Sequence, residues 1–443
     1  MLDQVRALPL SINILLSLVI SGWSLYYAGF LEVFAGGKNE KVLFVGDFLE
    51  SKTDTDFDGE AIASLCSSKN WTEGLIFNCD APTGGIGVVR NVHLNCIRFA
   101  IEAGAELIIP EIVRRDDKDI GKFFPNPKGP QRGAPSDYFY DRRHLNGTLS
   151  TFCPQMKVYW SIDELFDTPM ASPIALRLNA LRLSRVDRTV LAQPGRWASQ
   201  FKKYLDNKSN PKTRLWPLRV NVAQTRYVWP TSYDNPAFAR SFGRILRFRE
   251  DVRGLAASAF FAMQNRLVSH GSQNDGDTSA LGFVGVHLRA QEDFWDTDFL
   301  PYEEQAAHYL RYMVESGYPS AYLAPGASAE HVTSFTERAR AFNITVVTKR
   351  DLLDTEGLGY LSSLSWDQQT LVDYELLLRA DLMVGMSDSS FAWNVALSRA
   401  TAGGTAESKA FTSRGSHVRW EDARSILVGE PNDFNNMEKA TWP

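Results

Sequence analysis

The segment "GLIFNCDAPTGGIGVVRNVHLNCIRFAIEAGAELIIPEI", residues 74–112, decides the fold class. It begins with an apolar run of strand type, passes through a glycine-rich turn, and then carries apolar residues at helical spacing as far as Gly104, a natural helix stop. A second apolar run, "AELIIPEI", follows directly. Strand, turn, helix and strand in this order predict a βαβ unit with parallel strands.

The same alternation restarts in the second half of the chain. A long helical pattern at about 236–270, interrupted near Gly254, ends in the polar linker "GSQNDGDTSA" at 271–280. A strand is predicted at 282–288, and helices and strands alternate from there to about residue 400. The fold class is therefore α/β, with two successive units that each contain a parallel sheet.

The size and composition of the chain predict two globular domains. Its 443 residues exceed one ordinary hydrophobic core, and 44% hydrophobic with 22% charged residues is a globular composition. A net charge of -5 without a dominant basic run argues against a nucleic-acid partner. We divide the chain into a cytoplasmic tip with a membrane segment, a stem, an N-terminal Rossmann-like domain and a C-terminal Rossmann-like domain: 1–35, 36–72, 73–275 and 276–443.

The N-terminal segment "ALPLSINILLSLVISGWSLYYAGFL", residues 7–31, contains no charged residue and is long enough to span a bilayer. We interpret it as an uncleaved signal-anchor helix, which predicts a single-pass membrane protein of the ER or Golgi with a lumenal body. The alternative is a cleaved signal peptide, which would release a secreted protein.

Cysteines and glycosylation sequons agree with a lumenal body. An even number of cysteines allows two disulfides, whose pairing the sequence does not specify: Cys66, Cys79, Cys96 and Cys153. Four Asn-x-Ser/Thr sequons begin at Asn70, Asn146, Asn207 and Asn343.

Ligands of parallel sheets bind beyond the carboxyl ends of the strands, and the strand "GFVGVHLR" ends in His287 and Arg289. Arg289 offers a planar fork of donors that fits a diphosphate, and its charge persists at neutral pH. His287 points to the same side of the strand, because side chains two residues apart share a face. The alternative is a surface ion pair of Arg289 with Asp293, which would contribute little.

A second strand end, "VGMSDSSFAWN" at 384–394, places Ser389, Ser390 and Phe391 at the start of a helix. Hydroxyls and backbone N–H groups at a helix start attract an anion, although the serines could equally be helix caps. Asp373, on the preceding helix, shares an apolar face with leucines, where a carboxylate needs a partner. Guanine could supply two N–H donors to it; the alternative is a buried cap or an ion pair with an arginine.

The glycine-rich turn after the first strand contains Gly84, Gly85 and Gly87. Glycines at such a turn let the backbone approach a ligand, but their spacing is not the GxGxxG dinucleotide fingerprint. Glycine-rich turns are also common after strands that have no ligand-binding role. Asp80, just before this turn, is the carboxylate that we nominate as a general base.

Three segments together resemble the GDP-fucose protein O-fucosyltransferase superfamily: the glycine-rich segment from Thr83 to Ile112, "GVHLRAQEDFW" and "DQQTLVDYELLLRADLMVGMSDSSFAWNVALSR". The His-x-Arg after a strand is the hallmark of that family, and the Asp-to-Ser-Ser-Phe block is the more specific match. The resemblance implies a glycosyltransferase-B fold, in which two Rossmann-like domains face each other, the second holding most of the donor and the first lying on the acceptor side. It also implies inversion at the fucose anomeric carbon without a required metal.

The resemblance further implies roles for individual residues. Arg289 would bind the diphosphate and support catalysis, His287 would line the donor, and Asp373 would read guanine. Ser389, Ser390 and Phe391 would hold the nucleotide phosphate and base. The glycine-rich turn departs from the family, because Gly87 or Val88 stands where an asparagine is usual and Gly84 or Gly85 where some members carry a glutamate.

These observations predict an inverting transferase that moves fucose from GDP-fucose to a hydroxyl of a protein or glycan acceptor. The alternatives are a non-catalytic nucleotide-sugar-binding relative and a transferase of another GDP-sugar. A metal-dependent transferase is a further alternative, because the Asp-x-Asp runs at 54–58 and 296–298 could hold a divalent cation. Solvated acidic loops account better for both runs, so no metal is expected.

Overall fold

The computed structural model of the protein describes residues 40–50, 57–117, 121–124, 133–183, 190–223, 225–271, 282–290, 300–402, 409–410, 418–429 and 437–443. Two compact units are distinguished, Met1–Ser51 and Lys52–Pro443, and a helix at 40–50, α1, belongs to the first. The predicted signal anchor at 7–31 lies outside the described residues. Within the described ranges, no helix is both long and apolar enough to cross a membrane.

The larger unit alternates helices and strands along the chain. Its helices are α2 (Gly59–Ser67), α3 (Ile86–Ala103), α4 (Arg142–Phe152), α5 (Trp197–Lys208), α6 (Pro236–Phe242), α7 (Glu250–Gly271), α8 (Tyr302–Ser316), α9 (Ala329–Arg340), α10 (Lys349–Leu352), α11 (Thr355–Ser363), α12 (Trp366–Leu377), α13 (Ser390–Ala402) and α14 (Met437–Ala440). Its strands are β1 (Leu75–Cys79), β2 (Glu106–Ile108), β3 (Arg114–Arg115), β4 (Phe123–Phe124), β5 (Val158–Tyr159), β6 (Ile174–Arg177), β7 (Leu218–Ala223), β8 (Val284–Arg289), β9 (Ser320–Gly326), β10 (Thr345–Val347), β11 (Leu382–Met386), β12 (Lys409–Ala410), β13 (Val418–Glu421) and β14 (Ser425–Val428). Short 3₁₀ turns occupy Ser136–Tyr138, Ile162–Leu165, Leu178–Leu181, Pro194–Arg196, Thr231–Tyr233 and Gly243–Ile245.

Two parallel sheets organise this unit, which confirms the predicted α/β class. The first has the order β5-β2-β1-β7-β6 and is parallel throughout. The second has the order β10-β9-β8-β11-β14-β13-β12, with antiparallel pairing only at its β13 and β12 edge. The predicted βαβ unit is present as β1, α3 and β2, with Phe77 in register with Leu107.

Helix α3 is buried along its whole length except for its last residue. It ends at Gly104, whose left-handed backbone (φ 60°) and lack of a side chain are both required, because a Cβ there would lie 1.9 Å from the carbonyl oxygen of Asn70. Several polar side chains of α3 are buried and bond groups of other segments, as Asn95 does with the carbonyl oxygen of Thr225 and Arg98 with the carboxylate of Asp234. The helix is therefore a central hub of hydrogen bonds rather than a surface helix.

The 437–443 segment is one of the segments held by α3. The side-chain amide of Asn91 donates to the carbonyl oxygen of Ala440 (2.8 Å), and the Trp442 backbone N–H donates back to Asn91 Oδ1 (3.0 Å). The indole N–H of Trp442 donates to Asn95 Oδ1 (2.8 Å), and the carbonyl oxygen of Trp442 accepts from Asn394 on α13 (3.0 Å). The segment thus ties α3 to α13.

Arg90 and Gly243 complete this arrangement. The Arg90 guanidinium donates to the carbonyl oxygens of Trp442 (3.0 Å) and Gly243 (2.8 Å). A Cβ on Gly243 would lie 1.7 Å from the carbonyl oxygen of Pro443. The predicted break of the long helix at Gly254 is wrong, because Gly254 lies inside α7. The helical pattern is interrupted earlier, between α6 and α7, where the 437–443 segment packs against Gly243.

The four cysteines form two disulfides, Cys66–Cys153 and Cys79–Cys96. The first joins α2 to the residue that follows α4, and the second joins the end of β1 to the middle of α3. Helix α2 also buries Ile62 in the main core. The proposed stem boundary at residue 72 therefore lies inside the larger compact unit, because α2 is packed and cross-linked there.

Candidate active site

A cleft opens where the carboxyl ends of β1, β8 and β9 meet the loop after β11. The predicted site residues that line it are Gly84, Gly85, His287, Arg289, Asp373, Ser389, Ser390 and Phe391. Six polar residues that the sequence did not predict also line the cleft: Arg115, Arg226, Tyr227, Asp367, Thr370 and Asp388. Gly87 and Asp80 are not among the described residues that line it.

Arg289 ends β8 and is buried, with 8% of its surface exposed. Gln305 fixes its backbone, since it accepts from the Arg289 N–H (3.1 Å) and donates to the Arg289 carbonyl oxygen (2.6 Å). The Arg289 side chain passes over Gly326, where a Cβ would lie 3.0 Å from Arg289 Nη1. Burial and the nearby Arg115 charge lower the pKa of Arg289 to about 10, so the group stays cationic at neutral pH in surroundings that favour an anion.

His287 lies two residues earlier on the same strand, and its ring stacks on Phe391 (centroids 4.6 Å apart). Burial, reinforced by the charge of Arg289, lowers the pKa of His287 to about 3. The imidazole is therefore neutral at physiological pH, with one donor and one acceptor nitrogen. Its buried Nδ1 has no hydrogen-bond partner among the described residues, so it is available to a ligand.

The start of α13 forms part of the cleft wall, next to the glycine-rich turn. Ser389 Oγ accepts from the Ala392 N–H (3.3 Å), and the indole of Trp393 donates to the carbonyl oxygen of Ser387 (2.5 Å). Ser389 is therefore a helix cap as well as a cleft residue. The backbone N–H groups of this helix start are suited to an anion because they carry the positive end of the helix dipole, and anion binding there stays a prediction.

The three predicted glycines divide into two groups. Gly84 and Gly85 line the cleft, and Gly84 has a φ of 141° that a side chain would strain. Gly87 instead lies against α13, where a Cβ would be 2.3 Å from the carbonyl oxygen of Ser390 and 2.7 Å from the N of Phe391. Its smallness lets α3 and the start of α13 touch, so it shapes the site without facing the ligand.

Replacing Gly87 with alanine is expected to force α3 away from the start of α13. The backbone atoms of Ser390 cannot move aside as a flexible side chain would, so we expect a loss of about 1–3 kcal/mol in unfolding free energy. Gly254→Ala is the matched control, because nothing lies within 4 Å of its added Cβ and alanine is the better helix former. Equal stability of the two variants in urea would contradict the close-approach role.

Asp373 is buried, and both of its oxygens already accept hydrogen bonds. Lys349 Nζ lies 2.5 Å from Oδ2, and the Tyr322 hydroxyl donates to Oδ1 (2.6 Å). The ion-pair alternative is therefore present, with a lysine in place of the arginine that we considered. Each carboxylate oxygen has a second lone pair, so the reading of guanine by Asp373 stays a prediction.

Asp80 is exposed at the end of β1, where its backbone N–H donates to the carbonyl oxygen of Val222 (3.0 Å). Three carboxyl groups do line the cleft, those of Asp367, Asp373 and Asp388, and Asp367 is 3% exposed. Burial raises the pKa of Asp367 to about 6, and the neighbouring Arg115 opposes this shift. Its Oδ2 accepts from the Arg115 backbone N–H (2.9 Å).

Local sequence patterns do not single out Arg115 or Tyr227 as cleft residues. Arg115 lies on β3, in the antiparallel β3–β4 pair, so the rule that ligands bind at the carboxyl ends of parallel strands does not point to it. Tyr227 has a left-handed backbone (φ 47°), which is uncommon outside glycine and clusters at functional sites, but only the structure reveals it.

Among the described residues, no group of three or more His, Cys, Asp or Glu is placed to hold a metal. Asp296 and Asp298 lie outside those residues.

Three arginines of an α/β protein, from the end of β8, from the β3–β4 pair and from the segment after β7, converge on one cleft with a helix start, an arrangement suited to an anion. The amino-acid sequence assigns the protein more closely. Residues 75–402 match the family described as GDP-fucose protein O-fucosyltransferase, and the chain belongs to that family. A comparison with curated proteins gives no significant match.

Several solved structures are similar to the chain at low identity. POFUT1 in complex with GDP-fucose is 14% identical, with 82% of this chain and 100% of that chain covered and a TM-score of 0.44. A mutant of Arabidopsis thaliana FUT1 in complex with GDP is 12% identical, with coverages of 76% and 71% and a TM-score of 0.37. Fucosyltransferase NodZ from Bradyrhizobium is 14% identical, with coverages of 74% and 94% and a TM-score of 0.36. The family assignment rests on the sequence match.

Proposed function

We propose that the protein transfers fucose from GDP-fucose, with inversion, to a hydroxyl of a protein or glycan acceptor. The observation that carries the proposal is Arg289, a buried cation held by Gln305 at the end of β8 within a family of GDP-fucose-dependent transferases. We assign the two parallel sheets to the two facing Rossmann-like domains of a glycosyltransferase-B fold. The cleft lined by Gly84, Gly85, Arg289 and the start of α13 supports a donor site at this place.

The reaction breaks the bond between the fucose anomeric carbon and the β-phosphate oxygen, and forms a bond from that carbon to the acceptor oxygen on the opposite face. Negative charge therefore grows on the leaving GDP as the bond breaks. Arg289 is placed to stabilise that charge, and a buried cation already held in position does so without rearranging. Neutral His287 can orient the donor through the Nδ1 that no described residue engages. The acceptor proton must pass to a base.

We propose Asp367 in place of Asp80 as that base. Asp367 lines the cleft, whereas Asp80 is exposed outside the described lining. Because burial raises the pKa of Asp367 to about 6, its ionised, proton-accepting form prevails above that pH. The transfer rate should rise with pH from about 5 to about 7 and then level off, as expected for a base with a pKa near the working pH.

Asp367→Asn is expected to lower the transfer rate about 10²-fold and to abolish this pH dependence. The asparagine keeps an oxygen that can accept from the Arg115 N–H, so GDP affinity should hold. Asp80→Asn serves as the control and should retain the rate. An unchanged pH profile in Asp367→Asn would remove Asp367 from this role.

The test of the function is GDP release from GDP-fucose, GDP-mannose and UDP-sugars, with and without EDTA. We expect turnover of GDP-fucose that EDTA does not affect. Turnover of GDP-mannose instead would identify another GDP-sugar transferase. Tight GDP binding with no turnover of any donor, even with an acceptor mixture, would favour the non-catalytic alternative, and failure to bind any guanine nucleotide would contradict the proposal.

We further propose that the protein is a single-pass membrane protein of the ER or Golgi, anchored by residues 7–31 with its body in the lumen. Two disulfides support an oxidising compartment. The asparagines of all four sequons are exposed, as glycosylation requires: Asn70, Asn146, Asn207 and Asn343. An N-glycosidase mass shift together with protease protection in sealed microsomes is expected; a protein that is neither glycosylated nor protected would contradict a lumenal body. N-terminal sequencing separates the anchor from a cleaved signal peptide.

A further inference from the structure

Strand β7 lies between two neighbours in a parallel sheet, where both faces are usually covered by apolar contacts, yet it carries polar side chains on one side. Val220 is in register with Phe77, whose ring packs against Phe201 of α5 (5.3 Å between ring centroids), so this face of the first sheet is covered by a helix. Arg219 and Asn221 point to the opposite face, because side chains alternate along a strand. We call that opposite face the polar face of the first sheet.

The crossover segment, residues 160–173, lies over part of the polar face. It leaves β5 at one edge of the sheet and enters β6 at the other edge. Leu165 of this segment packs in one cluster with Ile76 of β1, and the Ala171 N–H donates to the carbonyl oxygen of Pro217, directly before β7 (3.1 Å). The crossover segment therefore passes β7 at its amino end and leaves the carboxyl halves of β7 and β6 accessible.

A cavity of about 440 Å³ separates the crossover segment from β7. Arg219 lines it together with Asp163, Thr168 and Ser172 of the crossover segment. The buried Nε of Arg219 has no hydrogen-bond partner among the described residues, whereas Asp163 Oδ2 accepts from the Ser161 hydroxyl (3.0 Å). The volume lies in the range of small-ligand pockets, about 300–1000 Å³. The cavity is thus large enough for a ligand and offers it a guanidinium group.

A row of polar side chains continues from this cavity toward the cleft. Asn221 follows Arg219 by two residues on the same face, and its Oδ1 accepts from Asn78 Nδ2 on β1 (3.2 Å). Beyond these asparagines the chain continues from β1 to Gly84 and from β7 to Arg226, both of which line the cleft. The distance from Arg219 to the end of β7 is only about 13 Å at about 3.3 Å per residue. An extended ligand would therefore reach from the cavity to the cleft.

The accessible groups of the polar face suit a glycan better than a polypeptide. The strand residues of this face that are exposed or partly exposed are all polar or small: Asn78, Ala175, Arg177, Arg219, Asn221 and Ala223. An amide both donates and accepts hydrogen bonds, as a sugar hydroxyl does, whereas protein interfaces centre on aromatic and apolar anchors.

The two guanidinium groups of the polar face favour a glycan that carries carboxylates. Each guanidinium can bind a carboxylate through two parallel hydrogen bonds. Glu106 of β2 lies on the same face but is buried, and its oxygens accept from the Tyr159 hydroxyl (2.7 Å) and the Gly74 N–H (2.9 Å). This carboxylate is therefore engaged by groups other than Arg177 and Arg219.

We propose that the polar face of the first sheet binds a glycan chain that carries carboxylate groups, and that this glycan is the acceptor. Arg219 binds a carboxylate in the cavity, and Asn78 and Asn221 bind hydroxyl groups between the cavity and the cleft. Arg177, on the neighbouring strand β6, binds a second carboxylate beside them. The role of the glycan as acceptor rests on the proposed function, whereas its binding to this face does not.

The test measures calorimetric binding of three probes to the full chain and its variants: hexagalacturonate, the same hexasaccharide with its carboxyl groups reduced to alcohols, and hexaglutamate. Hexagalacturonate should bind at least about 10-fold more tightly than the other two, since it alone combines sugar hydroxyls with carboxylates. Arg219→Met keeps the apolar stem of the side chain and should weaken hexagalacturonate binding about 10- to 100-fold.

Two further variants make this result specific. Arg177→Met should weaken hexagalacturonate binding about 3- to 10-fold, and because Arg177 is exposed, this variant decides the test if Arg219→Met does not fold. Lys203→Met is the matched control. It removes an exposed charge from α5, on the covered side of the sheet, and its affinity should stay within about 2-fold of the wild type.

Unchanged hexagalacturonate affinity in the folded arginine variants, or no binding by the wild type, would overturn the proposal. Equal or tighter binding of hexaglutamate would replace the glycan by an acidic polypeptide, and equal binding of the reduced hexasaccharide would remove the carboxylate-binding role of the arginines. GDP binding by the same preparation tests the proposed function separately. A wild type that binds GDP but no glycan keeps the transferase and loses this surface, whereas one that binds hexagalacturonate through Arg177 and Arg219 but no guanine nucleotide keeps the surface and loses the transferase.

Discussion

Arg289→Ala is expected to lower the rate of GDP release from GDP-fucose by about 10²- to 10³-fold, the usual loss when one group that stabilises the developing charge is removed. The effect should be large because the guanidinium is buried and its backbone is held on both sides by Gln305. The other cationic side chains of the cleft are attached to other segments, so they cannot occupy the position of the Arg289 guanidinium. GDP release followed at saturating donor separates this loss from weaker binding.

Two variants make the Arg289 result specific. Arg289→Lys should recover only part of the rate, because a lysine keeps the charge but not the planar pair of donors. Arg338→Ala removes a partly exposed arginine that pairs with Glu303 on the surface, and its rate should stay within about 2-fold of the wild type. Full turnover in Arg289→Ala would refute the assignment of this residue to the leaving group.

Trp442→Ala is expected to lower the free energy of unfolding by about 3–5 kcal/mol, as for other large aromatic side chains removed from a core. Trp442 is fully buried, its ring packs edge-on against Phe242 (4.8 Å between centroids), and its indole N–H donates to Asn95. Truncation therefore leaves a cavity and also leaves the Asn95 oxygen without this donor. Chemical denaturation with a two-state fit measures the loss.

The Trp442 change should also reach the cleft. The 437–443 segment ties α3 to α13, and these helices begin at the glycine-rich turn and at the serine loop. We therefore expect weaker GDP binding even under conditions in which the variant is folded. Phe166→Ala is the control, because that ring is 86% exposed and its loss should change stability by no more than about 0.5 kcal/mol. Similar losses in both variants would show that the segment is not a specific tie.

Local patterns predicted the elements that build the cleft, but not the middle of the chain. The βαβ unit and strand β8 have uniform apolar runs or clean helical spacing, and these signals need no distant partner. Strand β7 lies between β1 and β6 in the first sheet, yet it alternates buried residues with Arg219 and Asn221. That alternation is typical of a half-exposed strand, so its central place could not be read from the sequence.

The parts of the site that were missed depend on contacts between distant residues. Arg115 and Asp367 are 252 positions apart, and each looks like an ordinary charged residue beside a turn until the backbone hydrogen bond joins them. Gly87 was interpreted as a ligand-facing glycine because its turn supports that interpretation, whereas its neighbour is the backbone of Ser390. The disulfide pairing was equally out of reach, because spacing alone does not rank the possible pairs.

The Cys79–Cys96 bond has a practical consequence for producing this protein. The bond joins two cysteines separated by 17 residues and closes a loop that contains the glycine-rich turn. This closure limits the number of conformations that the turn can adopt. Protein folded in a reducing cytoplasm would lack this disulfide, and donor binding would then have to order the turn. We expect the affinity for the donor to fall as a result. Recombinant enzyme should therefore be produced by secretion, and its affinity for the donor should be measured before and after mild reduction.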